Sequence, residues 1–373
     1  MALGHFNYAV YLSDPFGVRL GDASNFVSLK YTRVVNNVGS LSLVLPGGFN
    51  TQMIRIPDGR IEVWRRLPGG REYLDTETTW LIKAVEYDRD AKGKVTILIE
   101  ADTPLCVFRE QGRFVNYTAG SAQASQTSAL DDMIKTIARQ NAGSSATAAR
   151  DLSAYLSIAP NLTSAPSGSK AFAWRDCLKV MQEIAASSTQ VGTYLAFDIV
   201  APTPDTLEFR TYIGQRGVDH TFPNGNNPVI IGPEFGNMGE CSLRYDYRNE
   251  ITYALAAGQG QGADRLTATS QDTVRQGVSP FGLREQFVDA TSYTSTTGLS
   301  AEADTVVRAG RPRTIFKGKL LDTPDTRYGV HWAWGDFVTV QAFGQSFDCR
   351  IDAVTVTVAR GQETIDAILR NDQ

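Results

Sequence analysis

Apolar and polar residues alternate with a period of two through residues 6–101, in segments such as Phe6-Asn7-Tyr8-Ala9-Val10-Tyr11-Leu12 and Leu41-Ser42-Leu43-Val44-Leu45, punctuated by Pro and Gly. That period places every second side chain on one face of a strand, so this stretch is predicted to be all-β. Pro68-Gly69-Gly70 and Lys92-Gly93 each separate two strand-like runs, giving two hairpin-like connections. The period then changes. Leu130, Met133, Ile134, Ile137 and Ala138 form one face of a helix preceded by Ser and Thr caps. Trp174, Cys177, Leu178, Met181, Ile184 and Ala185 form a second stripe, with Gly192 just past its end and a strand-like run at 194–200. Residues 143–169, rich in Ser, Ala and Pro, read as a loop-rich connection within one small α/β domain. From about Cys241 the alternation returns. It is broken by a short helix near 300–309 that ends at Gly310 and cannot pass Pro312.

Two distant parts of the chain resemble each other. Leu81-Ile82-Lys83-Ala84-Val85 and Arg350-Ile351-Asp352-Ala353-Val354 share an Ile-x-Ala-Val core. Upstream, Gly59-Arg60-Ile61-Glu62-Val63 parallels Gly335-Asp336-Phe337-Val338-Thr339-Val340. Downstream, Lys92-Gly93 and Arg360-Gly361 each precede another strand. A strand must bury its apolar face, so two such copies predict two similar β-barrels with a different domain between them.

Composition narrows the chemistry. The 373 residues are 42% hydrophobic, as expected of a chain with two or three folded domains. Thirty-six basic against forty acidic residues leave a net charge of -4 with no basic block, which excludes tight nucleic-acid binding. Cys106, Cys177, Cys241 and Cys349 are widely separated and form no CxxC pair, so free thiols are expected. No export signal is recognisable at the N-terminus, and no eighteen-residue apolar run predicts membrane insertion. Gly258-x-Gly260-x-Gly262 with Arg265 could cradle a phosphate, but no helical stripe follows, and a tight bend is favoured. His5, His220 and His331 lack zinc spacing. Asp322, Thr323 and Asp325 around Pro324 lack the pattern of a calcium loop. Trp332 and Trp334 at i and i+2 point to core or subunit contact. No catalytic, cofactor-binding or metal-ligating residue is assigned, and no cofactor.

The chain resembles the tail-hub proteins of long-tailed phages, which are related in fold to the central baseplate hub of contractile phages. The resemblance rests on the order of the strands over 61–100, the helical segment 172–187, Arg248-Asn249-Glu250-Ile251-Thr252-Tyr253 running into the glycines at 258–262, and the closing segments at 335–340 and 350–354. It implies a mainly β chain: a tube-like barrel over 1–117, an inserted α/β domain over 118–239, and a second barrel over 240–373. It implies a homotrimer with six near-equivalent barrels, a sixfold distal tail or tail-tube protein above, and a threefold tail-tip or fibre protein below. Tape measure and DNA would pass through the lumen without specific binding, in a virion assembled in the host cytoplasm. Some relatives extend into peptidase or fibre-binding regions; this chain stops after its last strand, so no enzyme activity is expected. The inserted domain is expected to lie outside the ring and to be removable. The competing reading is a tail-tip protein that binds or cleaves glycans, with Trp64, Trp80, Trp174, Trp332 and Trp334 as stacking platforms.

Overall fold

The computed structural model describes residues 7–371 apart from 68–69, 71, 110, 116–123, 173, 191, 223–226, 292 and 322. His5, Asp322, the Pro68-Gly69 turn and the expected boundary at 117/118 lie outside the described residues. The first strands are β1 (Asn7–Ser13), β2 (Arg19–Asp22), β3 (Ser28–Val34), β4 (Ser40–Pro46), β5 (Arg60–Arg66), β6 (Glu72–Leu74), β7 (Trp80–Arg89) and β8 (Val95–Asp102). Alternation sets their faces: Leu29 and Tyr31, Leu41 and Leu43, and Ile97 and Ile99 are buried, while Lys30, Ser40 and Glu100 are exposed.

The middle of the chain forms β9 (Ala124–Ala129), α1 (Leu130–Ala142), β10 (Leu156–Ile158), β11 (Ser167–Phe172), α2 (Cys177–Gln190), β12 (Leu195–Thr203) and β13 (Thr206–Ile213). Both helical stripes are buried in one cluster with Phe197 and Phe209, which also takes in Leu105, Phe108 and Val115. Three details depart from the sequence reading. No Ser or Thr side chain caps α1, whose N-cap is Ala129. Its first-turn carboxylates instead hold the chain that packs beside it: Asp132 accepts the Leu162 N–H at 2.9 Å, and Asp131 accepts the Ala165 N–H at 3.1 Å. Trp174 precedes α2, has φ 51° and is 68% exposed, so the helical stripe begins at Cys177. The stretch 143–169 contains β10, which pairs in parallel with β13, as well as the start of β11.

The remaining elements are β14 (Asp219–His220), β15 (Ile230–Ile231), β16 (Met238–Asp246), β17 (Tyr253–Ala257), β18 (Thr267–Gln271), α3 (Thr273–Gln276), β19 (Glu285–Asp289), α4 (Thr296–Ala309), β20 (Arg313–Leu320), β21 (Phe337–Ala342), β22 (Gln345–Ala359) and β23 (Gln362–Asn371). The helix expected near 300–309 starts earlier, capped by the Ser295 hydroxyl on the Gly298 N–H. Its Leu299, Ala303 and Val307 close a small separate core over the sheet β18-β17-β19.

The protein is mainly β with few helices. Strands from both ends of the chain join in one fifteen-stranded sheet, whose main path is β16-β20-β23-β22-β3-β4-β8-β7-β5-β1-β2. Two closed barrels are therefore not what the hydrogen bonding of the described residues makes: β22 has taken the outer edge of β3, and the sheet stays open at β16 and β2. Its apolar face encloses a shared core with Leu29, Tyr31, Trp80 and Ile99 from one end and Phe316, Val338, Ile351 and Val356 from the other.

Within that sheet the suspected repeat is visible in detail. The order β3-β4-β8-β7-β5 recurs as β16-β20-β23-β22-β21, with the same chain order and the same antiparallel pairing at each step. Both Ile-x-Ala segments carry a β-bulge, between Ile82 and Ala84 and between Ile351 and Ala353. Ile82 pairs with Ala101 and donates its N–H to the Gly59 carbonyl at 2.8 Å; Ile351 pairs with Leu369 and donates to the Asp336 carbonyl at 2.8 Å. Bulges occupy defined positions and bend the strand that carries them, so matched bulges in matched register are a stronger mark of duplication than shared residues. The repeats differ at the next strand, where β1 runs antiparallel to β5 but β14 and β15 run parallel to β21.

The middle unit is keyed to the sheet by buried polar groups. Arg33, at an inward position of β3, meets Asp198 of β12 at 2.6 Å, and Arg216 meets the same carboxylate at 3.2 Å. Arg60 donates to the carbonyls of Pro204 and Asp205, and the Thr78 hydroxyl donates to the Ile199 carbonyl at 2.8 Å. Removing 118–239 would strip Arg33 and Arg60 of these partners, contrary to the expectation that the domain is dispensable to the strands. On the same grounds Asp198→Ala, which leaves Arg33 buried without its counter-ion, is predicted to lower stability by about 3–5 kcal/mol. Urea unfolding followed by circular dichroism checks this, and an unchanged midpoint would contradict the keying role.

Candidate interface at the seam and the free edges

The seam between the repeats is a run of seven antiparallel pairs, from Ala353 opposite Val34 to Ala359 opposite Ser28. Strand β22 changes partners at its bulge: Gln345 to Arg350 pair with β21, and from Ala353 onward the strand pairs with β3. On the apolar face Val354 and Val356 meet Arg33 and Tyr31, all buried. On the other face the hydroxyls of Thr355 and Thr32 lie 2.9 Å apart.

The equivalent strands at the ends of the repeat array have no such partner among the described residues. After its bulge β7 pairs only with β8, because its contact with β5 ends at Leu81. Strand β16, equivalent to β3, pairs only with β20. Both edges expose apolar side chains: Tyr87 is 44% exposed where its counterpart Val356 is fully buried, and Tyr245 is 46% exposed where Arg33 is buried. An edge with open N–H and C=O groups and apolar side chains is a template for another strand.

A buried network fixes how the sheet curls. Arg65 donates to the Tyr8 hydroxyl at 3.0 Å, to both oxygens of Glu363 at 3.0 and 2.9 Å, to the Tyr73 hydroxyl at 3.1 Å and to the Tyr328 carbonyl. The phenol of Tyr31 donates to Asp75; burial, reinforced by the Asp75 charge, raises its pKa and keeps it protonated. Strands β5 and β1 thus meet β23 across the core although several strands separate them in the sheet. Gly329, at φ +78°, is the neighbour that makes room, since a Cβ there would collide with the Tyr73 hydroxyl. No sequence motif marked Arg33, Arg65, Asp198 or Glu363. The available signal was periodic: Arg33 continues the inward series Leu29, Tyr31, and Arg65 continues Ile61, Val63.

The opposite face of the sheet is polar. It presents Lys30, Glu86, Asp88, Glu100, Arg244, Lys317, Lys319 and Asp366, mixed in sign and interspersed with Ser and Thr. The other candidate features resolve structurally. The Gly258 to Gly262 segment is a bend at the end of β17, with Gly260 at φ +113°, and Arg265 is engaged by the carbonyls of Ala257 and Gly258 and by Asp289. His331 Nδ1 accepts the Arg327 N–H at 2.9 Å, while His220 Nε2 lies 3.7 Å from Asp336. No cluster of three potential metal ligands occurs among the described residues. Trp332 and Trp334 lie in the loop before β21 and are buried, as is Trp80; Arg33 and Arg216 sit 4.3 and 4.2 Å from the Trp334 ring centroid. All four cysteines are free thiols, and burial pushes the Cys177 thiol up to about 12. No helix of the described residues is long and apolar enough to cross a membrane.

Residues 9–369 match the model of a family described as Siphovirus ReqiPepy6 Gp37-like protein. Solved structures share the fold at low identity. The 43 kDa tail protein of prophage MuSo2 from Shewanella oneidensis aligns with a TM-score of 0.60 at 10% identity, covering 98% of both chains. A tail protein from Neisseria meningitidis MC58 aligns at 0.56 and 13%, covering 98% of this chain and 97% of that one. Prophage tail protein gp18 from Listeria monocytogenes EGD-e aligns at 0.51 and 13%, covering 97% and 94%. No curated protein sequence matches the chain.

The curl-fixing network makes a measurable claim. Arg65→Ala leaves Glu363 buried without its cation and is expected to cost about 3–5 kcal/mol. Arg65→Ala with Glu363→Leu is expected to recover part of that loss, because the uncompensated carboxylate is gone. Denaturant midpoints of the two variants test this, and equal destabilisation by both would argue against the ion pair as the lock.

Proposed function

Because the chain belongs to the Siphovirus ReqiPepy6 Gp37-like protein family and has the fold of prophage tail proteins, we propose that it is a structural tail hub. Three copies form a ring in which 1–117 and 240–373 act as tube-like units, giving six near-equivalent positions, and 118–239 decorates the outside. The observation that carries this reading is the repeat: two units of one strand order, register and bulge, already joined edge to edge within one chain. Three chains of two units match a sixfold tail-tube or distal tail ring above and a threefold tip or fibre protein below.

In this arrangement the polar sheet face lines the lumen. Its mixed charges neither bind a run of phosphates nor form a strong single-sign field, so tape measure and DNA pass without specific contact. The hub sits at the tail tip of the virion after assembly in the host cytoplasm, and it works through contacts, without cofactor or catalysis. The glycan reading is the weaker one, since three of its five tryptophans are buried and cannot stack on a sugar.

The mass of the full chain in solution and its copy number in purified tails test the proposal directly. The expected result is three times 40.7 kDa and three copies per tail, with sixfold-like features in averaged images. Six copies per tail, or a single copy, would sink the hub reading. Reproducible cleavage of peptidoglycan by the pure chain would sink its non-enzymatic part.

A further inference from the structure

The repeat carries more than a copy number, because the seam inside the chain is a worked example of how one unit joins the next. We propose that the free half of β7 pairs in antiparallel register with the free edge of β16 from a second copy of this chain, with Glu86 opposite Arg244. This rests on the ring reading and specifies the contact that closes it.

The register follows from the pairings within each repeat. Ala353 of β22 corresponds to Ala84 of β7, since each is the first residue after the bulge and pairs with equivalent residues of β23 and β8, Ile368 and Glu100. Tyr31 of β3 corresponds to Leu243 of β16: Tyr31 pairs with Leu41, Leu243 pairs with Phe316, and Leu41 and Phe316 in turn pair with the equivalent Ala101 and Leu369. Carrying the seam across these equivalences turns Val356 opposite Tyr31 into Tyr87 opposite Leu243. Val354 opposite Arg33 becomes Val85 opposite Tyr245, and Thr355 opposite Thr32 becomes Glu86 opposite Arg244.

The side chains at these positions fit the pairing, although none was used to derive it. Tyr87 and Tyr245, the exposed aromatics of the two edges, fall on the buried face, each opposite an aliphatic residue; such cross-strand pairs stabilise a sheet. On the polar face, where the internal seam joins two hydroxyls, a carboxylate meets a guanidinium. Glu86 is exposed, and Arg244 is 55% exposed with Asp246, on its own strand, as its present ion-pair partner at 3.0 Å. A slip by one residue would turn the tyrosines to the polar face, and a slip by two would place Glu86 opposite Ser242 and forfeit the ion pair. A second copy is the occupant because one edge is the complement of the other, and each chain carries one of each.

Cysteine pairs test the register in the full-length chain with Cys241→Ser as background, the other three native cysteines being buried. Glu86→Cys with Arg244→Cys, at the positions equivalent to the close Thr355 and Thr32 side chains, should oxidise to covalent dimers and trimers and nothing larger. Asp88→Cys with Ser242→Cys should do the same, and Glu86→Cys with Ser242→Cys should link poorly. Independently, Glu86→Arg or Arg244→Glu alone should weaken assembly roughly tenfold or more, and the two together should restore it. If the wild type forms three-copy rings while the in-register pairs stay unlinked and charge reversal has no effect, the pairing is wrong and the ring stands. If the wild type never exceeds one copy in solution or in tails, both fall. Linkage of the β7 cysteine to a different tail protein in assembled particles would also overturn the pairing.

Discussion

The constraint on which the structure depends is that β22 cannot finish inside its own repeat. Its bulge at Asp352 turns the strand away from β21 after Arg350, and seven further residues then need hydrogen-bond partners and cover for Val354 and Val356. The outer edge of β3 supplies both. That single pairing makes one sheet of two repeats and merges their cores. It also sets the repeats side by side, with the same faces in and out. Without it the second repeat would expose a valine-rich half-strand and the first its Leu29, Tyr31 edge.

Side-by-side repeats do not by themselves fix an angle, and the buried arginines supply that restraint. Arg65 of β5 binds β1, β6, β23 and the loop holding Tyr328, so the curl of the sheet is set by directional bonds as well as by packing. Arg33 stands at the seam itself and reaches the middle unit through Asp198, while Arg216 and Trp334 complete the same cluster. The Arg33 and Arg65 guanidiniums sit where a period-two strand would otherwise place an apolar side chain. A buried charge of this kind adds little net stability, but it tolerates few alternative arrangements because every one leaves it unpaired.

Periodicity made the elements legible because it reports local faces: the alternation of β3, β4 and β8 and the stripes of α1 and α2 follow directly from burial on one side. The Ile-x-Ala-Val similarity was also legible, but its cause was not. What the two copies share is a bulge, and a bulge depends on the partner strand, which sequence does not display. The same limit explains the errors. Trp174 extended a helical stripe by pattern and lies outside the helix. Asp131 and Asp132 secure the chain beside α1 where a Ser or Thr cap was expected. The two barrels were inferred from two strand sets, whereas the edge that joins them is a property of the pair. Arg33 and Arg65 look like interruptions of an apolar series until Asp198 and Glu363 are brought to them from far along the chain.

The repeats have diverged where their surroundings differ, and the seam positions show this most clearly. Where β22 meets β3, both strands belong to one chain, so the connection already favours the register, and a threonine pair on the polar face suffices. A contact between separate chains has no such help. It must be found by diffusion, held in one register, and kept from accepting any passing strand. The equivalent positions of the free edges carry groups suited to those demands: tyrosines that gain only when turned inward, and opposite charges that match in one alignment. An exposed Glu86 and Asp88 on β7 also discourage pairing between two β7 edges, which would set like charges together. On the proposed pairing the same sheet geometry serves twice, once as a fixed joint within the chain and once as a selective one between chains.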